Sequence, residues 1–269
     1  EGAEKLKAMN FIEGRKNPSS RDSKRAGRVL AALILMMMIF GVGFVAVPSV
    51  KGSPAELHVG LGQPYATIQS AVDAAESGDV IVVHSGTYVE TVDVTKSNIT
   101  IRSLLSNPYD VIVDASGADD HVFDITNQTG VTLTGFTIRN AKGVTKGVAG
   151  IYVYGSTDCK ISNNVITDIS AAGRNSAYGI WLPNSSRLNI SNNIIANIIS
   201  SRGGAGGIYF ETWWLSSNNE FFNMHISNID ANSSAFGIAG VGNNNTFSDT
   251  YISGINAAIY DAFGLHIPG

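Results

Sequence analysis

The side chains of this chain that could handle a ligand return at one position of a repeat. Tyr152, Trp181 and Tyr209 each follow a Gly-Ile pair, in Gly150-Ile151-Tyr152, Gly179-Ile180-Trp181 and Gly207-Ile208-Tyr209. Flat rings held at equal intervals on one face can stack on the apolar faces of sugar rings. Tyr154 and Glu211 lie two residues beyond Tyr152 and Tyr209, and Arg174 and Arg202 each precede their glycine by five residues. Guanidinium groups at the rim of such a row can pair with carboxylates or sulfates on a polysaccharide. Lys146, four residues before Gly150, adds a third cation. Tyr152, Trp181, Tyr209, Tyr154, Glu211, Arg174 and Arg202 are therefore the candidate glycan contacts. The competing use of such rings is packing against one another on an exposed sheet.

Chemistry beyond binding has thinner support. Asp119-Asp120-His121 with Asp124 gathers carboxylates that could hold Ca²⁺ or shift one another's pKa. Asp119 and Asp120 also follow Ala115-Ser-Gly-Ala and read equally as a polar turn. Asp124 and Glu211 are the other conceivable acid pair, but they lie three coils apart, which is too far for glycosidic acid–base work. The histidines are scattered, and Met224-His225 is the one adjacent pair of the kind copper favours. Cys159 is the sole cysteine, at an inward strand position, so it reads as a buried structural thiol. No catalytic residue and no cofactor is expected; Asp119, Asp120 and Asp124 are the candidates for Ca²⁺.

These residues are positioned by repeats of about 30 residues, the signature of a solenoid. The units contain no helix-length periodic segment and are rich in Ile, Val, Thr, Asn, Gly and Ser, which suits short strands broken by turns. Charged residues are only 15% of the chain, which also favours stacked strands over surface helices. Alternation predicts inward rows: Phe123, Ile151, Ile180, Ile208, Ile238 and Ile259; Ile101, Leu133, Ile161, Ile190, Phe221 and Phe247; Ile138, Ile166, Ile195, Ile226 and Ile252. A further row, Ala141, Ile169, Ile198, Ile229 and Ile255, follows by a step of three and predicts a bend or bulge. The pairs Asn163–Asn164 and Asn192–Asn193 suit left-handed turns and stacked amide ladders.

The span from about Gly60 onward resembles the right-handed parallel β-helix proteins of the pectate-lyase-like superfamily. The opening segment carries much of the likeness: Tyr65-Ala-Thr-Ile-Gln-Ser-Ala-Val-Asp-Ala-Ala-Glu-Ser-Gly-Asp79, then Val80-Ile-Val-Val, then Ser85-Gly-Thr-Tyr-Val-Glu90. Ile68, Ala71, Val72 and Ala75 share one helical face, so a helix near 67–77 would cap the first coil, with Gly78 as its C-cap. The resemblance implies an all-β fold of about seven coils, with ligands on the strand that follows each glycine. It implies no single function, since one fold hosts lyases, hydrolases and scaffolds. The Gly-His-Gly segment of polygalacturonase-like members is absent.

Residues 1–28 are polar and basic near their end, and residues 29–47 carry no charge. That stretch reads either as a transmembrane anchor or as a signal h-region; the basic flank keeps residues 1–28 cytoplasmic. Residues 48–60 read as a linker and 61–269 as the β-helix, with no cap evident at its C-terminal end, where end-to-end self-association is expected. Six Asn-X-Ser/Thr acceptors, at Asn98, Asn127, Asn184, Asn189, Asn232 and Asn244, suit an exterior location. A net charge of −4 with no basic patch excludes a nucleic-acid partner. The expectation is an extracellular, anchored or secreted β-helix protein of the cell surface, binding a glycan or serving a structural or adhesive role without catalysis. The alternative is a polysaccharide lyase or hydrolase acting on uronic-acid-containing polymers.

Overall fold

Runs of two to seven residues, rich in β-branched and small side chains and cut by polar corners, wind into three parallel sheets. The computed structural model describes residues 53–116, 118–210 and 216–266. Residues 1–28, 29–47 and the start of the 48–60 segment, with Glu211, lie outside them. Among the described residues no helix is long and apolar enough to cross a membrane. Among the described residues sheets A and B hold eight strands each and sheet C holds seven, which makes about seven coils. Sheet A runs from Glu56–Val59 and Val80–Val83 to Thr246–Ser248; sheet B from Gly86–Val89 to Tyr251–Ala257; sheet C from Val92–Asp93 to Ala262–His266. Glu56–Val59 corrects the linker expectation: these residues pair in register with Val80–Val83 and begin sheet A.

The inward rows pair as alternation predicts. Ile101, Leu133, Ile161, Ile190, Phe221 and Phe247 stand in register along sheet A. Ile138, Ile166, Ile195, Ile226 and Ile252 do so along sheet B. From coil to coil each side chain covers the next, and fully burying one contributes roughly 1.5–3 kcal/mol. The third row needs one correction. Ile238 pairs with Leu265, not Ile259, which is 64% exposed. The last strand of sheet C is Ala262–His266, carrying Gly264-Leu265-His266 where Ala258-Ile259-Tyr260 was expected.

The glycine before each inward Ile has a steric reason. A Cβ at Gly150, Gly179, Gly207 or Gly237 would run into the side chain of Ile166, Ile195, Ile226 or Ile252 across the coil, and would crowd the next glycine's carbonyl. Sheets B and C approach too closely there for any other residue. The step of three resolves as a bend. Asn140, Asp168, Asn197, Asn228 and Gly254 are all left-handed, with φ between 54° and 63°, and pairing continues on either side of them. The amide ladder is also present. Asn164 and Asn193 are buried; Asn193 Oδ1 accepts from the Asn164 N–H at 3.0 Å, and Asn193 Nδ2 donates to the Ile161 carbonyl at 2.9 Å.

The helix is shorter than expected. Helix α1 spans Ile68–Ala74, with Thr67 as N-cap, and Ala75 is already extended. Gly78 takes its left-handed φ of 109° in the turn beyond, not at the helix end. Ile68, Ala71 and Val72 face the first coil. The Glu90 carboxylate accepts from the Ile68 and Gln69 N–H groups at 2.8 and 2.9 Å, tying the helix start to the residue that follows sheet B's first strand. At the other end Phe247, Ile252 and Ile255 are half-buried, and Leu265 is 54% exposed.

Candidate functional site

The outer face of sheet C presents one residue per coil in a single register. Paired from strand to strand, the row reads Asp93, Asp124, Tyr152, Trp181, Tyr209, Ala239 and His266. An inward Ile259 would put Tyr260 at the end of this row; the shift of the last strand puts His266 there instead. Sequence reasoning also misses Asp93 at the start, because no Gly-Ile pair announces Val92–Asp93.

The three aromatics stand on consecutive coils and are half-buried. They do not form three parallel plates. Tyr152 and Trp181 meet edge to face, with centroids 5.0 Å apart and planes at 65°. Further rings fill the spaces between coils. His121 stacks on Tyr152 at 4.3 Å, and Tyr178 stacks on Tyr209 at 4.8 Å and meets Trp181 at 5.1 Å. Phe236 closes on Tyr209 at 5.4 Å. Tyr154, 36% exposed, lies parallel to Tyr152 at 6.3 Å. Sequence reasoning overlooks Tyr178 and Phe236, and it names His121 only beside the acids, not among the rings. The available signal was complementary size: Ala149, Tyr178, Gly206 and Phe236 are in register, small against large, and a Cβ on Gly206 would collide with the Phe236 ring.

The loop before Val148 leans on this patch, since Gly147 lies against the Trp181 ring. Trp181 Nε1 is buried and has no hydrogen-bond partner among the described residues. Arg174 and Arg202 are exposed, each three residues before the in-register pair Ala177 and Ala205, and among the described residues neither makes an ion pair. Their turns touch, because Gly203 packs on the backbone of Arg174 and Asn175. Lys146 is not free: its Nζ lies 2.7 Å from Asp120.

The acidic end is divided between two tasks. Asp119 holds a turn, accepting from the Val144 and Thr145 N–H groups at 2.7 and 2.9 Å and from the Thr145 hydroxyl. Those bonds keep its carboxyl below the usual range. Asp120 and Asp124, joined by Asp93, line an open groove of about 470 Å³ with Thr126, Gln128 and Lys146. Burial raises the Asp124 carboxyl, helped by the charges of Asp93 and Asp120, while the Thr126 hydroxyl works the other way. Burial also acts to raise Asp120, but its bond to Lys146 wins and holds it low. Asp119, Asp120 and Asp124 do not share a metal site, and among the described residues no three His, Cys, Asp or Glu side chains are grouped to hold an ion. Burial pushes His121 down to about 4, and its Nδ1 accepts from the Ala149 N–H at 2.9 Å, so the proton of the neutral ring resides on Nε2.

A cell surface glycoprotein of Methanothermus fervidus is 27% identical to this chain over 148 residues, which are 54% of this chain and 22% of that protein. The chain thus spans about a fifth of that relative's length. Among solved structures, a pectin methylesterase from carrot aligns over 81% of this chain and 89% of its own, at 15% identity and a TM-score of 0.40. A pectate lyase aligns over 74% and 79%, at 11% identity and a TM-score of 0.37. Likeness of that degree says nothing of chemistry. The family described as right handed beta helix region matches residues 121–267, more than half of the chain, and its stacked coils are the ones observed: this chain belongs to that family.

Proposed function

We propose that the chain is part of an exported, surface-exposed β-helix protein that binds a polysaccharide without catalysis along the outer face of sheet C. The observation that carries this reading is the register of Tyr152, Trp181 and Tyr209 on three consecutive coils, with Tyr154 beside them and two exposed arginines, without an ion pair among the described residues, at the rim. The match to a cell surface glycoprotein supports the location. The rings offer a mixed face-and-edge surface instead of flat plates, so the sugar chain seats across the grooves between rings, and Arg174 and Arg202 select polymers bearing carboxylates or sulfates. Glycan-array or affinity-gel retention tests it. Trp181→Ala should weaken binding at least about tenfold, and Arg174→Ala should weaken binding to anionic polymers alone, an effect that added salt reproduces. Undiminished retention of Trp181→Ala refutes the reading.

A polysaccharide lyase or hydrolase is the second reading, favoured by the groove that gathers Asp93, Asp120 and Asp124 beside Lys146. It ranks behind because the cation is already held by Asp120 and the Asp124 carboxyl by Thr126. Release of unsaturated products or new reducing ends from a polyuronate would reverse the order.

A further inference from the structure

The six Asn-X-Ser/Thr acceptors are spread along the sequence from Asn98 to Asn244, yet the fold sorts them sharply. Asn98, Asn127, Asn184 and Asn244 are exposed and left-handed, with φ of 58°, 57°, 53° and 56°. All four lie at corners between a strand of sheet C and the following strand of sheet A. Asn189 instead sits inside the sheet A strand Asn189–Ser191, half-buried, with its Nδ2 donating to Glu220 at 3.1 Å. Asn232 is half-buried at a different corner.

Within the exposed set two stand apart. Asn98 Nδ2 donates to the Ser77 hydroxyl and Asn244 Nδ2 to Asn218. Among the described residues the side-chain amides of Asn127 and Asn184 have no hydrogen-bond partner. Both end their sheet C segments at the same corner, two coils apart, with Gly155 between them. The Asn127 N–H bonds the Tyr154 carbonyl, and the Gly155 N–H bonds the Pro183 carbonyl. A Cβ on Gly155 would sit 2.6 Å from Asn127 Oδ1, so the middle coil is bare where the two asparagines need room. Two strand spacings separate them by about 10 Å, enough for two saccharide stems side by side.

We propose that Asn127 and Asn184 are attachment sites of N-linked oligosaccharides, standing as a pair along the corner beside the aromatic face. The transfer joins Asn Nδ2 to C1 of a glycosyl donor carried on a lipid phosphate. The C1–O bond to phosphate breaks, its electron pair leaves with the phosphate, and the amide proton passes to a base of the transferring enzyme. Thr129 and Ser186 supply the hydroxyl of the acceptor pattern. This inference shares with the proposed function only the exported location; it neither requires nor implies sugar binding by the aromatic row.

The test is peptide mapping by mass spectrometry of the full chain recovered from the cells that make it. Trypsin separates the sites: residues 103–139 contain Asn127, 175–187 contain Asn184, and 188–202 contain Asn189, each as its peptide's sole acceptor. The expected result is glycan mass on the first two peptides and none on the third. Thr129→Val and Ser186→Ala should each remove one glycan from the intact mass while leaving the asparagine in place. Unmodified Asn127 and Asn184, or a glycan on Asn189 in their stead, overturns the proposal.

Discussion

Acid should weaken this β-helix well above the carboxylate range, and one buried imidazole sets the window. His121 is 7% exposed, stacked on Tyr152 and edge-on to Trp181, with Nδ1 occupied by the Ala149 N–H. Burial lowers its pKa from 6.5 to about 4, against the pull of Asp120, whose charge Lys146 offsets. The folded state therefore refuses a proton that the unfolded chain accepts. The stability this group contributes is complete above 6.5 and is lost as pH falls toward 4. At pH 5 the loss relative to pH 8 amounts to about 2 kcal/mol, and it approaches about 3 kcal/mol below pH 4. His121→Asn keeps an acceptor for Ala149 but cannot titrate. It forfeits stacking on Tyr152, a penalty of about 1 kcal/mol that does not vary with pH. Urea midpoints followed by far-ultraviolet circular dichroism, at pH 8 and 5 for both proteins, isolate the effect. Asp124 and Glu90, whose carboxyls are raised by burial, respond with the opposite sign and equally in both proteins. An equal drop in wild type and variant would refute the assignment.

Other outcomes follow from named contacts. Asp114 is held down to about 2 by Asn140, Arg139 and Ser116 despite burial, so it contributes stability that is present above 3.8 and lost as pH falls toward 2; Asp114→Asn should flatten the unfolding curve by about 2 kcal/mol in that window and leave the drop between pH 8 and 5 intact. Asn193→Ala strips the Asn164 N–H and the Ile161 carbonyl of buried partners, and its urea midpoint should fall by the equivalent of about 2–4 kcal/mol. Gly179→Ala drives a Cβ into Ile195 and the Gly207 carbonyl; differential calorimetry should show a loss of about 1–3 kcal/mol, whereas Gly173→Ala, whose Cβ meets nothing, should register only the left-handed backbone penalty of about 1 kcal/mol.

Much of the architecture is legible in the chain because a parallel β-helix writes its register into the sequence. Each inward Ile stacks on the Ile of the next coil, so spacing alone pairs Ile161 with Ile190 and Ile166 with Ile195. Legibility fails where the repeat changes length. The last coil holds an extra turn between Ala257 and Ala262, which slides Leu265 into the place that Ile259 seems to claim by pattern. The first coil lacks a Gly-Ile pair, so Asp93 goes unnoticed. Polar ladders are half legible. The Asn-Asn doublets announce one, but Ser156, Ser185 and Ser216, whose hydroxyls accept from the backbone of the preceding coil, carry no doublet and read as ordinary turn residues.

The face of sheet C was harder to read than the core for a physical reason. Inward positions are filled by one side chain per coil, so identity and spacing determine contact. Outward rings are long enough to cross strands, and their arrangement depends on what the neighbouring row leaves open. Tyr178 reaches Tyr209 only because Gly206, not a larger residue, is its paired neighbour, and the same glycine admits Phe236. Alternation finds Tyr152, Trp181 and Tyr209 but cannot show that His121, Tyr178 and Phe236 wedge between them. Charges behave likewise. Lys146 and Arg174 look equivalent in sequence, each a few residues before its glycine, yet Lys146 meets Asp120 from the previous coil while Arg174 meets no acid among the described residues. The rim of this face is thus cationic at the Arg174–Arg202 end and neutralised or acidic at the Asp93–Asp124 end. A polyanion sliding along the row would be held at one end and repelled at the other, and that gradient gives any bound chain a preferred position.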